Sequence, residues 1–161
     1  MRQLKRQRGL TLIELMVGIG IASILMVASA PMFGEFITNS RLREAGNGLL
    51  AEALFAQSEA IKLNTTVRLS TNGEVLTVID RTDPANEVQL RNRLMAGGVV
   101  APSATIDFGS DGRPVNFAVG SINLSMTGVT CSGDARCPGL RVDAGGATRL
   151  CSNHLDAVNC P

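Results

Sequence analysis

The chain has 161 residues, 15 Lys+Arg against 14 Asp+Glu, a single His, and five Phe with no Tyr or Trp. So few aromatic rings cannot build a base-stacking platform for single-stranded nucleic acid, and a net charge of +1 is not that of a duplex-binding basic protein. One His excludes a multi-histidine metal site, while 45% apolar and 18% charged residues exclude a disordered chain.

The average hides a gradient. Residues 1–9 carry Arg2, Lys5, Arg6 and Arg8 with no acid, and in the following 21 residues, Leu10 to Ala30, Glu14 is the only charge. Twenty-one helical residues span roughly 30 Å, the thickness of a bilayer's hydrocarbon core. Four cations before the span put the N-terminus in the cytoplasm and the rest of the chain outside. A cleaved secretory signal is the first competitor, since Ala28-Ser29-Ala30 has the A-x-A form. The long apolar stretch, the carboxylate in its first turn and Pro31 directly after that site argue against it. A plain membrane anchor explains the length but not Glu14, because an ionisable residue within a span costs about 2.5–3.5 kcal/mol and points to function.

The segment Gly9-Leu10-Thr11-Leu12-Ile13-Glu14-Leu15-Met16 resembles the processing motif of type IV pilins and type II secretion pseudopilins. The resemblance implies that a prepilin peptidase cuts after Gly9 and that Leu10 becomes an N-methylated N-terminus. Glu14 is then the fifth residue of the mature chain, where the family carries an acid that neutralises a neighbour's terminal amine. Pro31 falls at the twenty-second position, where pilins commonly have a kinking proline. Gly18, Gly20, Ala22 and Ser23 offer small faces for close helix contact.

Beyond Pro31 the pattern becomes amphipathic, with Phe33, Phe36, Ile37, Leu42, Ala45, Leu49, Ala53, Ala56 and Ala60 at three- and four-residue steps. One helix is expected from about Leu12 to Leu63, bent near Pro31 and loosened at Gly46 and Gly48. Its end, Ser58-Glu59-Ala60-Ile61-Lys62, is similar to the helix end of the FimT and GspH branch of minor pilins and pseudopilins, although Gln57 and Leu63 stand where that pattern has Arg.

From Thr65 the period shortens to two. Thr66–Ser70 and Glu74–Asp80 flank Thr71-Asn72-Gly73, a hairpin signal. Further strands are expected at 87–95, 104–108, 114–119, 122–126, 140–143 and 147–151, separated by Gly, Pro and Asp breakers. The hairpin segment around Phe108 and Gly112-Arg113 also resembles the same branch; Gly112 serves the turn, Phe108 the core, and Arg113 is read as a solvated charge. The fold class is therefore α+β: a long N-terminal helix, transmembrane and then amphipathic, packed on a small, mostly antiparallel β-sheet domain. The divisions are a cleaved cytoplasmic leader (1–9), a transmembrane assembly helix (10–30), its amphipathic continuation (31–64) and an exported β-rich domain (65–161). That last segment is a small core that gains from the helix lying on it.

Cys131, Cys137, Cys151 and Cys160 crowd the last 31 residues without a C-x2-C zinc spacing. An exported domain points to disulfides that staple the tail. Three pairings are open, and Cys131–Cys137 with Cys151–Cys160 is favoured because each closes a short loop. No nucleophile elbow, P-loop or dinucleotide fingerprint is present, so no enzyme activity, cofactor or metal is expected. His154 reads as a loop histidine. Some members of the FimT branch bind DNA through a C-terminal G-R-x-R motif, which this chain lacks. A hairpin turning at Ala144-Gly145-Gly146 would still set Arg141 opposite Arg149 on one face, making them the DNA-binding candidates. Loss of the four leader cations leaves 11 Lys+Arg against 14 acids, a net charge of −3, so any DNA contact would be a local, salt-sensitive patch.

The reading is a minor pilin of a type IV pilus, FimT-like or FimU-like. The resemblance implies an inner-membrane single-pass protein with a periplasmic C-terminal domain that later joins the filament. Its partners are other major and minor pilins, the prepilin peptidase and the inner-membrane assembly platform, with DNA as a further candidate, and its roles are pilus assembly or priming and twitching motility. The alternatives are a GspH-like minor pseudopilin of type II secretion and a pilus-associated DNA receptor for natural transformation.

Overall fold

The computed structural model describes residues 11–95, 97–158 and 160, with residues 30–32 described by their backbone alone. The chain divides into two compact units, 1–36 and 37–161, and one helix, α1 (Leu12–Leu63), contributes to both. In the first unit, Leu12–Ser29 is an 18-residue stretch long and apolar enough to cross a membrane, and none of it is buried within the chain. Its two hydroxyls are satisfied locally: Ser23 Oγ donates to the Ile19 carbonyl (2.8 Å) and Ser29 Oγ to that of Met26 (3.1 Å). Hydrogen bonding back to the helix is how a polar side chain is tolerated in lipid. Gly9 and Leu10, the expected processing residues, lie outside the described residues, as does the side chain of Pro31.

In the second unit α1 buries the expected stripe from Leu42 onward, Leu42, Ala45, Leu49, Ala53, Ala56 and Ala60, whereas Ile37, expected in the same stripe, is exposed, as are Phe33 and Phe36 of the first unit. The helix ends where expected, at Leu63, with Asn64 in the left-handed region (φ 52°). That conformation closes helices, and Asn tolerates it better than most residues. The strands are β1 (Val67–Gly73), β2 (Val75–Asp80), β3 (Val88–Leu94), β4 (Val99–Phe108), β5 (Gly120–Asn123), β6 (Ser125–Met126), β7 (Gly139–Val142) and β8 (Thr148–Cys151). They form a five-stranded sheet ordered β3-β2-β1-β4-β6 and a three-stranded sheet ordered β5-β7-β8, and all the pairings are antiparallel. Fully buried Leu124 sits between β5 and β6, where the chain passes from one sheet to the other. Val67, Leu69, Leu76, Val78, Ile106 and Phe108 supply the inner face of the larger sheet, and Ile122, Leu140 and Val142 that of the smaller.

On the larger sheet's other face Arg68 grips Asp107 with two parallel hydrogen bonds (Nε–Oδ1 2.6 Å, Nη2–Oδ2 2.7 Å). Arg81 joins the pair, reaching Glu87 at 2.6 Å and Asp107 at 3.6 Å. The hydrogen bond to Asp107 pushes the Arg68 guanidinium above its ordinary pKa, as expected when a cation gains an anionic acceptor.

Four expectations are corrected. The first hairpin turns at Gly73-Glu74 rather than at 71–73, because Asn72 already pairs with Val75; only Gly73 takes the left-handed conformation (φ 59°). β4 begins five residues before the expected start, despite Pro102. The ladder to β1 shifts register between Thr71 and Gly73, opposite this part of β4, and Thr71 Oγ1 donates to the Pro102 carbonyl at 2.7 Å. An irregularity of this kind accommodates a residue with no N–H.

The strand expected at 114–119 does not form. Phe108 and Pro114 make a single bridge, then Val115–Phe117 form a 3-10 turn with left-handed Asn116 (φ 61°) and Phe117 (φ 55°). Continuing that register would direct Asn116 to the buried side, where Phe108, Ile106 and Pro114 point. It would turn Val115, Phe117 and Val119 to solvent, and the chain leaves the ladder instead. Finally, α1 is unbroken at Gly46 and Gly48; their role is close approach rather than loosening.

At Gly46 an added Cβ would stand 2.9 Å from Pro138 Cγ and 3.2 Å from Leu150 Cδ2. The residue lets the tail lie directly on helix backbone. Gly46→Val is expected to cost about 2 kcal/mol, the middle of the overpacking range, and to expose residues 130–160 to protease. Denaturant unfolding and limited proteolysis would measure both, and an unchanged midpoint would remove this role from Gly46.

Candidate functional site

The membrane helix starts at Thr11, whose Oγ1 accepts a hydrogen bond from the Glu14 amide (3.3 Å) while its carbonyl accepts one from Leu15 (3.2 Å). Thr11 is thus the N-cap and Glu14 the third helical residue, the T-x-x-E order of a capping box. Sequence reasoning assigned Glu14 to the site but missed this spacing, which was there to be read. A carboxylate in the first turn also faces the positive end of the helix dipole and its unsatisfied amides. The same acid is therefore placed to steady the helix start.

The tail is built onto the other half of α1. Asn39 Nδ2 donates to the Asp134 carbonyl (2.7 Å), and its Oδ1 accepts from the Arg136 amide (2.9 Å). The Gln57 amide donates to the carbonyls of Gly112 (2.6 Å) and Gly146 (2.9 Å). Asn39, Gly46 and Gln57 are 7 and 11 residues apart, both close to whole numbers of turns, so they form one stripe along the helix. Sequence reading gave Asn39 no role and noted Gln57 only as a departure from the family pattern. Their partners lie 55 to 97 residues away, beyond any local pattern.

Cys131–Cys137 and Cys151–Cys160 are bridged, with Cα–Cα separations of 5.6 and 5.4 Å. His154 joins them: its amide donates to the Cys137 carbonyl (2.7 Å) and its Nδ1 lies 3.1 Å from the same oxygen. His154 therefore pins the tail. Among the described residues no group of three His, Cys, Asp or Glu could hold a metal ion.

The two candidate arginines stand directly opposite each other in the β7–β8 ladder, and the Asp143 amide donates to the Ala147 carbonyl at 3.1 Å to close the hairpin. Their side chains nevertheless differ. Arg141 Nη1 donates to Asn123 Oδ1 (2.7 Å) and to the Leu140 carbonyl (2.9 Å), while Arg149 is exposed. The register brings the pair together, but Arg141 already serves the β5–β7 contact.

On the opposite flank of α1, sequence reasoning missed Glu52, Arg91, Gly48 and Arg93. Glu52 is 2% exposed, with Oε2 lacking a hydrogen-bond partner among the described residues. Its other oxygen lies 3.5 Å from Arg91 Nη1, and the Arg91 guanidinium stacks 3.7 Å above the Phe55 ring. Arg93, two residues along β3, lies across Gly48, its Cζ 3.4 Å from where a Cβ would be.

Comparison with curated protein sequences gives no match. Among solved structures the chain is similar to the type IV minor pilin FimU of Pseudomonas aeruginosa, at 17% identity and a TM-score of 0.62, over 78% of this chain and 99% of that one. It is also similar to the minor pseudopilin EpsH of the Vibrio cholerae type 2 secretion system, at 12% identity and a TM-score of 0.56, over 70% and 97% of the two chains. At identities this low the structural likeness shows the shared pilin-like fold alone. The prokaryotic N-terminal methylation motif matches residues 4–30, and the family described as type II transport protein GspH matches residues 45–146. The membrane-length helix with its capped acid and the β-domain that follows thus have their explanation: the chain belongs to the GspH family, a non-enzymatic pilin or pseudopilin with a single-pass membrane anchor.

Proposed function

We propose that the protein is a minor pilin of a type IV pilus, acting in assembly or priming and so in pilus-dependent motility. The observation that carries this reading is a methylation-motif segment whose span from Leu12 to Ser29 has one charge, Glu14, in its first turn. A plain anchor has no use for that carboxylate. In this reading the chain is cut after Gly9 and methylated at Leu10. The inner membrane holds it with the leader in the cytoplasm, where the assembly platform passes it into the filament. Glu14 neutralises the terminal amine of an adjacent subunit, and Pro31 allows the helix to bend as it packs. The disulfide-stapled tail favours a pilus over a secretion pseudopilus. A DNA-receptor role is left out of the proposal, because Arg141 is engaged with Asn123 and Leu140.

Mass spectrometry of the membrane-bound form is expected to find a chain beginning at methylated Leu10. An N-terminus at Pro31 would mean signal-peptidase cleavage and overturn the reading. Deletion of the gene is expected to reduce pilus-dependent motility and leave protein secretion intact; the reverse result would assign the chain to a secretion system.

A further inference from the structure

The contrast between Arg91 and Arg93 defines an unfilled position. The two are alternate residues of β3, paired with Val78 and Leu76, whose buried side chains mark the face that meets α1. Gly48 and Glu52 are one turn apart on the helix that receives them. Arg91 finds a carboxylate at Glu52 and a ring at Phe55. Arg93 lies over the bare backbone of Gly48 and has no ion-pair partner among the described residues. A shallow groove of about 560 Å³ opens there, with Arg93 and Arg43 in its walls beside Ser40, Asn47 and Glu44. Neither arginine is in an ion pair with any described acid, Glu44 included. Two unpaired guanidiniums in one groove repel each other unless an anion joins them, and each offers a planar fork of donors matched to a carboxylate.

We propose that this groove receives an acidic segment of a neighbouring filament subunit, whose carboxylate takes, on Arg93, the place that Glu52 takes on Arg91. The partner's chemistry follows from charge complementarity. The processed chain carries −3 overall by the count of 11 cations against 14 acids, so attraction of an anion must come from a local patch. Ser40 and Asn47 add uncharged hydrogen-bonding groups suited to a peptide. The inference rests on the reading of the chain as an assembly subunit, and it concerns a different face from Glu14.

The test uses the full-length chain in neutral detergent with three fluorescent probes read by anisotropy: hexaglutamate, hexalysine and a short DNA duplex. Hexaglutamate is expected to bind saturably and more weakly as salt rises; hexalysine and the duplex are not. Arg43→Ala with Arg93→Ala is expected to weaken binding about tenfold or more, the scale of losing contacts to a charged partner. Gly48→Asp supplies a carboxylate within the chain. Its Cβ would be in ordinary contact with Arg93 at 3.4 Å, so this variant is expected to fold as the parent does, as circular dichroism would verify, and to lose hexaglutamate binding. Binding that survives both variants would come from other cations, such as those of residues 2–8, and would overturn the proposal. Absence of hexaglutamate binding, or binding of the duplex alone, would overturn it too. Pilus incorporation of a chain starting at Leu10 alongside any of these results would leave the assembly reading standing and reject the groove alone.

Discussion

Glu14→Ala is expected to move two properties in opposite directions. Removing the one ionisable side chain of the span should ease membrane insertion, relieving a cost of about 2.5–3.5 kcal/mol on insertion scales. Incorporation into filaments should fall by an order of magnitude or more, since a neighbour's terminal amine would be left in an apolar helix bundle with no counter-charge. Membrane fractionation reports the first quantity and the sheared-filament fraction the second. The capping geometry adds a control. The bond from the residue-14 amide to Thr11 Oγ1 uses backbone and survives the substitution, so Glu14→Gln keeps both cap and shape while losing charge. Glu14→Gln is expected to fail in assembly as Glu14→Ala does. Normal incorporation of Glu14→Gln would reduce Glu14 to a helix-capping residue.

The second large effect lies in the β-domain. Arg91→Ala is expected to destabilise the fold by about 2 kcal/mol, below the 3–5 typical of a broken buried pair. The reduction follows from geometry: the Arg91 side chain is 46% exposed and the pair is 3.5 Å apart. The loss has two parts, the uncompensated Glu52 carboxylate and the stacking on Phe55, the latter about 0.5–1 kcal/mol at a partly exposed site. Glu52→Leu removes a buried charge with an unsatisfied oxygen and is expected to be neutral or stabilising by about 1 kcal/mol. In that background Arg91→Ala should cost only the stacking contribution. A double-mutant cycle by denaturant unfolding would give the coupling; a cycle that closes additively would show that the carboxylate contributes nothing through Arg91.

Much of this architecture could be read in the sequence, for reasons that differ by element. The span of α1 was legible because hydrophobic spacing changes from 3.6 to 2 at Asn64-Thr65, and both ends fall where the pattern put them. The opposition of Arg141 and Arg149 was legible because a short turn at Gly145-Gly146 fixes the register. The segment 114–119 misled because alternation alone does not say which face a strand presents. Only the bridge from Phe108 to Pro114 reveals that its apolar residues fall on the solvent side. Pro102 hid the first half of β4, since a proline argues against a strand until the irregularity opposite it is known. Within the candidate site, Glu14 stood out as a lone charge in an apolar run. Arg93 and Gly48 could not, because their meeting depends on a register shift in the ladder between β2 and β3 that no local pattern announces.

The stripe of Asn39, Gly46 and Gln57 also bears on the order in which the molecule acquires its structure. Asn39 is bonded to residues 95 and 97 positions later in the chain, and Gln57 to one 89 positions later. These groups of α1 are made early in synthesis and must wait for nearly the whole polypeptide before they are satisfied. Loop-closure entropy makes such distant contacts slow to form. The helix, strands β1 to β4 and the core between them can form once the chain has reached Phe108, while one flank of the helix still stands open. Closure of that flank by the last thirty residues is therefore the late event of folding. A chain truncated before Pro138 should be compact yet sticky, a ready substrate for quality-control proteases.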